Sequence, residues 1–300
     1  MILFENGAAL LKHPRPEAIF LIEPWIPRQG IILLHGKSGV GKSAFAMQVA
    51  EAVQTSTPFL GYPTAQGTVV YMVLDMPIYA VQDRWEGAMP KWEPHFAIAY
   101  EELSFDCLQF FSPFPDQRHA HLKSTMAAFQ EKLHPDLIVV DALREVHAAD
   151  VRVSGQAKRV YDAFKSIFPQ SAVLFIHHDT KETEIEKPDL ERAAGSQEWG
   201  SHATVAMRMV ESGGVLWLRH TKSQASEKYD PLPLNLINGL YVENRDVARN
   251  ATLLRILEEM KDAPRGAVDR RVAVELGISP RRALTLRRGI EQEEMKNDRT

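Results

Sequence analysis

The stretch from residue 36 to residue 43 reads GKSGVGKS and is the feature that most constrains the fold. It fits the pattern G-x-x-x-x-G-K-[ST] without a gap. An apolar run, IILLH, precedes it and the amphipathic AFAMQVAEAV follows it, which predicts a strand, a tight turn and a helix. Glycines allow the backbone to curl so that successive N–H groups face one concave side, a geometry that binds phosphate oxygens. The predicted phosphate-binding residues are Gly36, Lys37, Ser38, Gly39, Val40, Gly41, Lys42 and Ser43.

Two side chains of this loop and one distant carboxylate predict a site for ATP and Mg²⁺. Lys42 supplies a mobile positive charge for the β- and γ-phosphates, and the Ser43 hydroxyl is a hard oxygen ligand for Mg²⁺. About 100 residues later, LIVVD at 137–141 has four apolar residues followed by an acid. We predict that Asp141 ends a buried strand and provides the second metal-site oxygen. The alternative for Asp141 is a cap for the next turn, and the choice between ATP and GTP stays open.

Short apolar runs alternate with longer amphipathic stretches over the first two-thirds of the chain. The runs cover residues 31–35, 68–74, 137–141 and 172–177. Continuous apolar runs separated by helices are typical of a parallel sheet covered on both faces. Two later pairs of strand-like runs flank the turn sequences ESGG at 211–214 and NG at 238–239. We therefore predict an α/β fold whose mainly parallel sheet is extended by late antiparallel hairpins.

The sequence pattern changes again at a polar stretch, residues 244–250, after which the sequence predicts three short helices. Ala251–Met260 and Val268–Leu276 have apolar residues at helical spacing, and Gly277 ends the second of these. Ser279 caps a third helix that has Pro280 at its first position. We predict a boundary at about residue 246, between a nucleotide-binding domain at 1–245 and a helical domain at 246–300.

Composition excludes several classes of protein. A net charge of −4, 45% hydrophobic residues and 25% charged residues are ordinary for a globular chain. The single cysteine, Cys107, excludes a disulfide within the chain, favours a reducing compartment and has apolar neighbours typical of a core position. No apolar run approaches ~18 residues, and no basic region precedes the apolar start. We expect a cytoplasmic protein without a membrane-spanning helix.

The order of these motifs resembles the RecA-like ATPases of the RepA type, relatives of the hexameric DnaB helicases. The similarity runs from about Ile22 to Glu243. It implies a RecA-like P-loop core, a homo-hexamer and single-stranded DNA in a central channel. The matching segments are PWIP at 24–27, the loop at 36–43, GTVVYMVLDMP at 67–77, LIVVD at 137–141, FIHHDTK at 175–181, AAGSQEWGS at 193–201 and a hairpin strand ending at Lys222.

The resemblance implies that Asp75 occupies the position of the glutamate that activates the attacking water. Aspartate is one methylene shorter, and its alternative role is to cap the following helix; Glu51 and Glu86 are weaker substitutes. Arg84, on that following helix, would stack on the adenine ring. The alternative for Arg84 is a solvated surface arginine.

Two further roles follow from the same resemblance. His178, at the tip of a strand, would sense the γ-phosphate, and the alternative is a buried histidine bonded to backbone; His177 is the weaker candidate. Lys222 would act in the site of a neighbouring subunit. Gln224 stands where the family has an arginine finger, and Arg219 is a substitute for it. Asp75 and Gln224 leave the rate of hydrolysis open.

Basic charge is concentrated near the carboxyl terminus. Residues 261–290 contain eight Lys or Arg and three acids, a local balance of +5 in a chain of −4. VAVELGISPRRALTLRR has the form of a helix-turn-helix, which resembles the DNA-reading half of winged-helix modules. The alternative is a helical oligomerisation element with an ordinary charged surface. The predicted DNA-contacting residues are Arg281, Arg282, Arg287 and Arg288.

Three functions are compatible with these features. The first is a RepA-like replicative helicase in which hydrolysis moves loops around DNA. The second is a nucleotide-controlled DNA-binding regulator with slow or no turnover. The third is an ATPase partner in transposition or helicase recruitment. A motor needs a water-activating group and a charge donated across a subunit interface, so Asp75 and Gln224 keep all three open.

Overall fold

The computed structural model describes residues 19–74, 79–80, 83, 96–99, 126–146, 155–179, 197–212, 214–227, 229–237, 239–276 and 279–297. The chain divides into two compact units. The first comprises residues 1–231 and 236–241, and the second comprises 232–235 and 242–300. From Val242 onwards the chain belongs to the second unit, and this change lies near the predicted boundary at about residue 246. The contribution of residues 232–235 to the second unit was not predicted.

The strands follow the apolar runs of the sequence. A small antiparallel pair precedes the main sheet and consists of β1, Phe20–Ile22, and β2, Ile26–Pro27. The strands of the main sheet are β3 (Gly30–Gly36), β4 (Val69–Val73), β5 (Phe96–Ala99), β6 (Leu137–Asp141), β7 (Ala172–His178), β8 (Val205–Ser212), β9 (Val215–Ser223), β10 (Leu232–Ile237) and β11 (Leu240–Glu243).

The strand order of the main sheet is β5-β4-β6-β7-β3-β8-β9, followed by β10 and β11. β3 is parallel to both of its neighbours, so that Gly36 lies opposite His178 on β7 and Met209 on β8. β8 and β9 form the predicted antiparallel hairpin. β7 therefore lies between β3 and β6, and the carboxyl ends of all three meet at one edge of the sheet. This arrangement confirms the predicted α/β class with a RecA-like, mainly parallel core.

Helices cover the sheet, which explains why its strands are apolar along their whole length. All five residues of β4 and all five of β6 are buried. The helices of the first unit are α1 (Lys42–Thr55), a 3₁₀ turn (Leu143–Val146), α2 (Gln156–Ile167) and α3 (Gln197–His202). Residues 126–133 are also helical. None of the helices in these described ranges is long and apolar enough to cross a membrane.

The second unit contains the three predicted helices. They are α4 (Arg245–Glu259), α5 (Arg265–Glu275) and α6 (Pro280–Asn297). Their own core contains Leu253, Ile256, Val268, Val272, Ala273 and Ala283. The prediction that α4 begins at Ala251 was wrong, because the Asn244 side chain accepts a hydrogen bond from the Val247 N–H at 3.2 Å and starts the helix earlier.

Candidate functional site

The loop between β3 and α1 has a backbone that only glycine can adopt at two positions. A Cβ atom on Gly36 would lie 2.4 Å from the Met209 carbonyl oxygen on the neighbouring strand. Gly41 has a φ of +93°, and a Cβ there would lie 1.8 Å from the Tyr241 hydroxyl. Both positions are glycines of the G-x-x-x-x-G-K-[ST] pattern. The spacing of that pattern therefore reflects close backbone packing as well as phosphate geometry.

Helix α1 begins at the end of this loop with its N–H groups available. Its N-cap residue is Gly41, and within the described residues no side chain caps the helix. Its first turn carries no acidic residue. The first N–H groups of a helix have no partner within the helix, and the helix dipole adds positive potential at the same end. The loop and α1 together therefore form an anion site suited to phosphate.

The Lys42 ammonium lies inside this loop. Its Nζ donates to the carbonyl oxygens of Gly36 at 2.9 Å and of Lys37 at 2.7 Å. Burial lowers the pKa of Lys42 from 10.5 to about 8, although the carboxylates of Asp179 and Asp141 act in the opposite direction. A cation held in partial desolvation interacts more strongly with phosphate than an exposed one does. The role predicted for Lys42, binding the β- and γ-phosphates, fits this position and remains a prediction.

Asp141 and Ser43 are brought together by a residue that the sequence analysis missed. The Tyr71 hydroxyl, on β4, donates to Asp141 Oδ2 at 3.1 Å, and its oxygen lies 3.4 Å from the Ser43 carbonyl oxygen. Asp141 is buried at the carboxyl end of β6. A hydroxyl and a carboxylate are hard oxygen donors, so Ser43 and Asp141 fit Mg²⁺. A bound Mg²⁺ would supply neutralisation of phosphate charge at this point.

His178 and His177 lie on opposite sides of β7, as residues adjacent in a strand must. His178 Nδ1 is 3.4 Å from Lys42 Nζ, so His178 borders the phosphate loop. His177 is buried, and its ring centroid is 5.7 Å from that of Trp199. His178 is therefore next to the Lys42 ammonium, and its role at a terminal phosphate remains a prediction, whereas His177 packs in the core.

A buried cluster of polar side chains lies at the start of the loop and was not predicted from the sequence. His35 Nδ1 lies 2.7 Å from Asp179 Oδ1, and Arg208 Nε donates to Asp179 Oδ2 at 2.9 Å. Burial raises the pKa of Asp179, but the hydrogen bonds and charges of His35 and Arg208 outweigh it, so the pKa lies below its usual value. The Asp179 N–H also donates to the Gly36 carbonyl oxygen at 3.0 Å. Asp179 thus joins β3, β7 and β8 where the loop begins.

A cavity of about 420 Å³ opens beside the loop. Loop residues 37–40, which include Ser38 and Gly39, line one side. The end of β8, residues 209–212, and Gly214 line the other side. The volume is within the range of small-ligand sites in proteins.

Comparison with known families agrees with this geometry. The sequence profile described as AAA domain matches residues 4–184, more than half of the chain. The chain belongs to the AAA domain family. The AAA domain of this chain is accordingly a nucleotide-binding domain of the P-loop ATPase type. No curated protein sequence matches the chain.

One solved structure similar to the chain is a KaiC-like protein from the hyperthermophilic archaeon Pyrococcus horikoshii. The two are 12% identical, with a TM-score of 0.48. The similar region covers 77% of this chain and 98% of the archaeal chain.

The remaining residues predicted for the nucleotide site lie apart from the phosphate loop or outside the described residues. Lys222, on β9, donates to the Ser201 carbonyl oxygen. Burial, followed by the charge of Lys165, lowers the pKa of Lys222. Asp75 and Arg84 lie outside the described residues. The predicted roles of Asp75, Arg84 and Lys222 therefore remain predictions.

The structure separates the four arginines that were predicted to contact DNA. Arg281, Arg282 and Arg288 are exposed on α6. Arg287 is buried, and its Nε donates to Asp269 Oδ1 at 2.7 Å. The prediction that Arg287 contacts DNA was wrong, because its guanidinium neutralises an acid within the helical core.

Nucleotide affinity of the AAA domain is expected to fall as the pH rises above about 8. Bound phosphates favour the charged form of Lys42, so above pH 8 binding must take up a proton. Affinity then declines by up to about tenfold per pH unit, whereas below pH 8 the lysine contribution is nearly constant. Calorimetric titration with ADP between pH 7.5 and 9.5 measures this profile.

Lys42→Arg is the matched control for the pH profile, because arginine keeps its charge over the whole range. Its ADP affinity is expected to change little with pH, whatever its absolute value. A wild-type affinity that is constant up to pH 9.5 would contradict the proposed contact between Lys42 and phosphate.

Proposed function

We propose that this chain is an ATP-hydrolysing, Mg²⁺-dependent RecA-like protein that acts on DNA, of the RepA-like replicative helicase type. The observation that carries the hydrolysis part is the meeting of three strand ends at one edge of the sheet. Lys42 follows β3, Asp141 ends β6, and His178 ends β7 between them. These side chains supply a phosphate-binding cation, a metal ligand and a contact for the terminal phosphate.

The chemistry of phosphoryl transfer supports this assignment. The transition state carries charge spread over phosphate oxygens, so catalysis depends chiefly on positioning and electrostatic stabilisation. In this proposal the loop amides and Lys42 bind the β- and γ-phosphates, and Ser43 and Asp141 hold the metal. His178, whose Nδ1 is 3.4 Å from Lys42 Nζ, contacts the terminal phosphate. Asp75 is the proposed residue that orients the attacking water.

The DNA part of the proposal is supported by the charge of the second unit. Arg281 and Arg282 occupy the first turn of α6, and Arg288 lies further along it, all exposed. Exposed arginines bind phosphate oxygens with two parallel hydrogen bonds, and they release counterions when they do so. We propose single-stranded DNA as the partner of the whole assembly, with the helical unit as an auxiliary contact. We propose a homo-hexamer as the assembly.

A second candidate is a nucleotide-controlled DNA-binding regulator with slow turnover. Gln224 favours it, since a neutral amide cannot replace the charge of an arginine finger, which is worth about 10³-fold or more in rate. Lys222, the other residue proposed to act in a neighbouring site, is hydrogen-bonded to Ser201 of its own chain.

Two measurements on the full chain separate the candidates. A helicase is expected to show ATP hydrolysis stimulated severalfold by single-stranded DNA, together with strand displacement. Nucleotide binding without turnover supports the regulator and contradicts the helicase. Replacing Arg281, Arg282 and Arg288 together by alanine is expected to weaken DNA binding and lower the salt-dependence slope by about 2.

A triple variant of α2 provides a control with the same change in charge. Lys158, Arg159 and Lys165 are exposed on the first unit, and their replacement by alanine is expected to affect DNA affinity less. Equal losses in the two triple variants would show a general effect of net charge. That result would remove the proposed DNA contact from α6.

A further inference from the structure

We propose that Tyr241 is a positioning residue for the phosphate loop, holding the peptide groups on either side of Gly41 in the orientation that a nucleotide requires. This inference rests on the proposed nucleotide-binding function and deepens it. The observations behind it are the contacts of Tyr241 with the loop, from which it is separated by 200 positions in the sequence.

The Tyr241 hydroxyl lies against the backbone of the loop. Its oxygen is 3.5 Å from the Val40 carbonyl oxygen and 3.3 Å from the Gly41 carbonyl oxygen. The side chain is buried, with 3% of the residue exposed. Because a Cβ at Gly41 would lie 1.8 Å from this hydroxyl, the glycine is what allows the contact. The hydroxyl therefore contacts the loop at the point where it becomes helix α1.

The contacts of Tyr241 with loop carbonyls also determine the direction in which the neighbouring loop N–H groups point. In a trans peptide the carbonyl and the N–H of the next residue point in opposite directions. With the Val40 carbonyl facing Tyr241, the Gly41 N–H faces the opposite side of the loop. The Gly41 carbonyl accepts from Tyr241 and from the Phe45 N–H at 3.0 Å, so the Lys42 N–H is oriented in the same way. These two amides belong to the stretch that the motif assigns to phosphate oxygens.

The position of Tyr241 is itself fixed on helix α1. Its N–H donates to Gln48 Oε1 at 2.8 Å, and Gln48 Nε2 donates to the Tyr241 carbonyl oxygen at 2.8 Å. Its ring centroid is 5.9 Å from that of Phe45, which is three residues before Gln48 on the same helix face. Burial raises the pKa of the Tyr241 hydroxyl, so it remains a donor at neutral pH. Backbone, ring and hydroxyl of Tyr241 all engage the loop and its helix.

Tyr241→Phe tests the proposal because it removes only the hydroxyl. Affinity for ADP and for pyrophosphate is expected to fall by about 2- to 12-fold, the range for the loss of one hydrogen bond. The two ligands are expected to lose affinity by the same factor, since the proposed effect acts on the phosphate amides. In turnover, KM for ATP is expected to rise by more than kcat falls. A structural role would lower the thermal unfolding midpoint without changing the affinity of the folded protein.

Tyr229→Phe is the matched control, since Tyr229 is 43% exposed and its phenol has no contact with the loop among the interactions of the described residues. Its affinities are expected to equal those of the wild type. If the wild type binds ADP and Tyr241→Phe binds it equally well, the proposal for Tyr241 is overturned and nucleotide binding stands. If neither the wild type nor any variant binds ADP or pyrophosphate, the proposed function itself fails.

Discussion

Replacing Lys42 by alanine is expected to weaken ATP and ADP binding by at least about 10-fold and up to about 100-fold, as for other hydrogen bonds to charged groups. The variant removes the one ammonium that lies inside the loop among the described residues. The fold is expected to survive, since burial already disfavours the charged form of Lys42 and lowers its pKa to about 8. Titration with a fluorescent nucleotide measures affinity, and circular dichroism and thermal unfolding measure the fold.

Lys158→Ala is the matched control for Lys42→Ala. Lys158 is 59% exposed on α2 and is ion-paired along its own helix with Asp162. Its removal deletes the same charge without touching the loop, so nucleotide affinity is expected to remain at the wild-type value. Unchanged ATP affinity in Lys42→Ala would show that the loop does not bind phosphate in the way described.

Asp141→Asn is expected to lower Mg²⁺-dependent ATP hydrolysis by more than about 10²-fold, because Lewis-acid stabilisation by a metal is worth several kcal/mol. Asparagine has the same size as aspartate. Its amide oxygen can still accept a hydrogen bond from the Tyr71 hydroxyl, which lies 3.1 Å from Asp141 Oδ2 in the wild type. Nucleotide affinity measured in EDTA is expected to be unchanged, since the loop amides and Lys42 remain. Turnover measured against Mg²⁺ concentration gives the comparison.

Asp162→Asn is the control for the Asp141 variant. Asp162 is 51% exposed on α2 and forms an exposed pair with Lys158, so its neutralisation is expected to leave turnover unchanged. Wild-type turnover in Asp141→Asn at limiting Mg²⁺ would assign the metal to another carboxylate. The result would leave the phosphate loop itself unaffected.

Local patterns explain which parts of the fold were predictable. LIVVD predicted β6 with both ends correct, because a fully buried parallel strand needs a continuous apolar run. GKSGVGKS predicted the loop and the helix that follows it, because glycine and helix-start requirements are local. The residues that determine these elements lie close together in the sequence, so a local pattern is enough to predict them.

The parts that were not predicted depend on contacts between distant residues. Asp179 meets His35 across 144 positions, and Tyr241 meets Gly41 across 200. No local pattern marks either pair. Arg287 was wrongly predicted for the same reason. Its charge indicated a contact with DNA, but it is four residues after the buried Ala283 and therefore lies on the inner face of the helix. There Asp269, which is distant in the sequence, neutralises it.

The buried cluster of His35, Asp179 and Arg208 has a consequence for how this domain can be altered. Removing Asp179 breaks the buried ion pair with Arg208, a change that typically lowers stability by about 3–5 kcal/mol. Exchanging all three for apolar side chains of similar volume removes the charges together and is often neutral. Joint replacement of the three positions is therefore expected to lower the free energy of unfolding less than replacement of Asp179 alone.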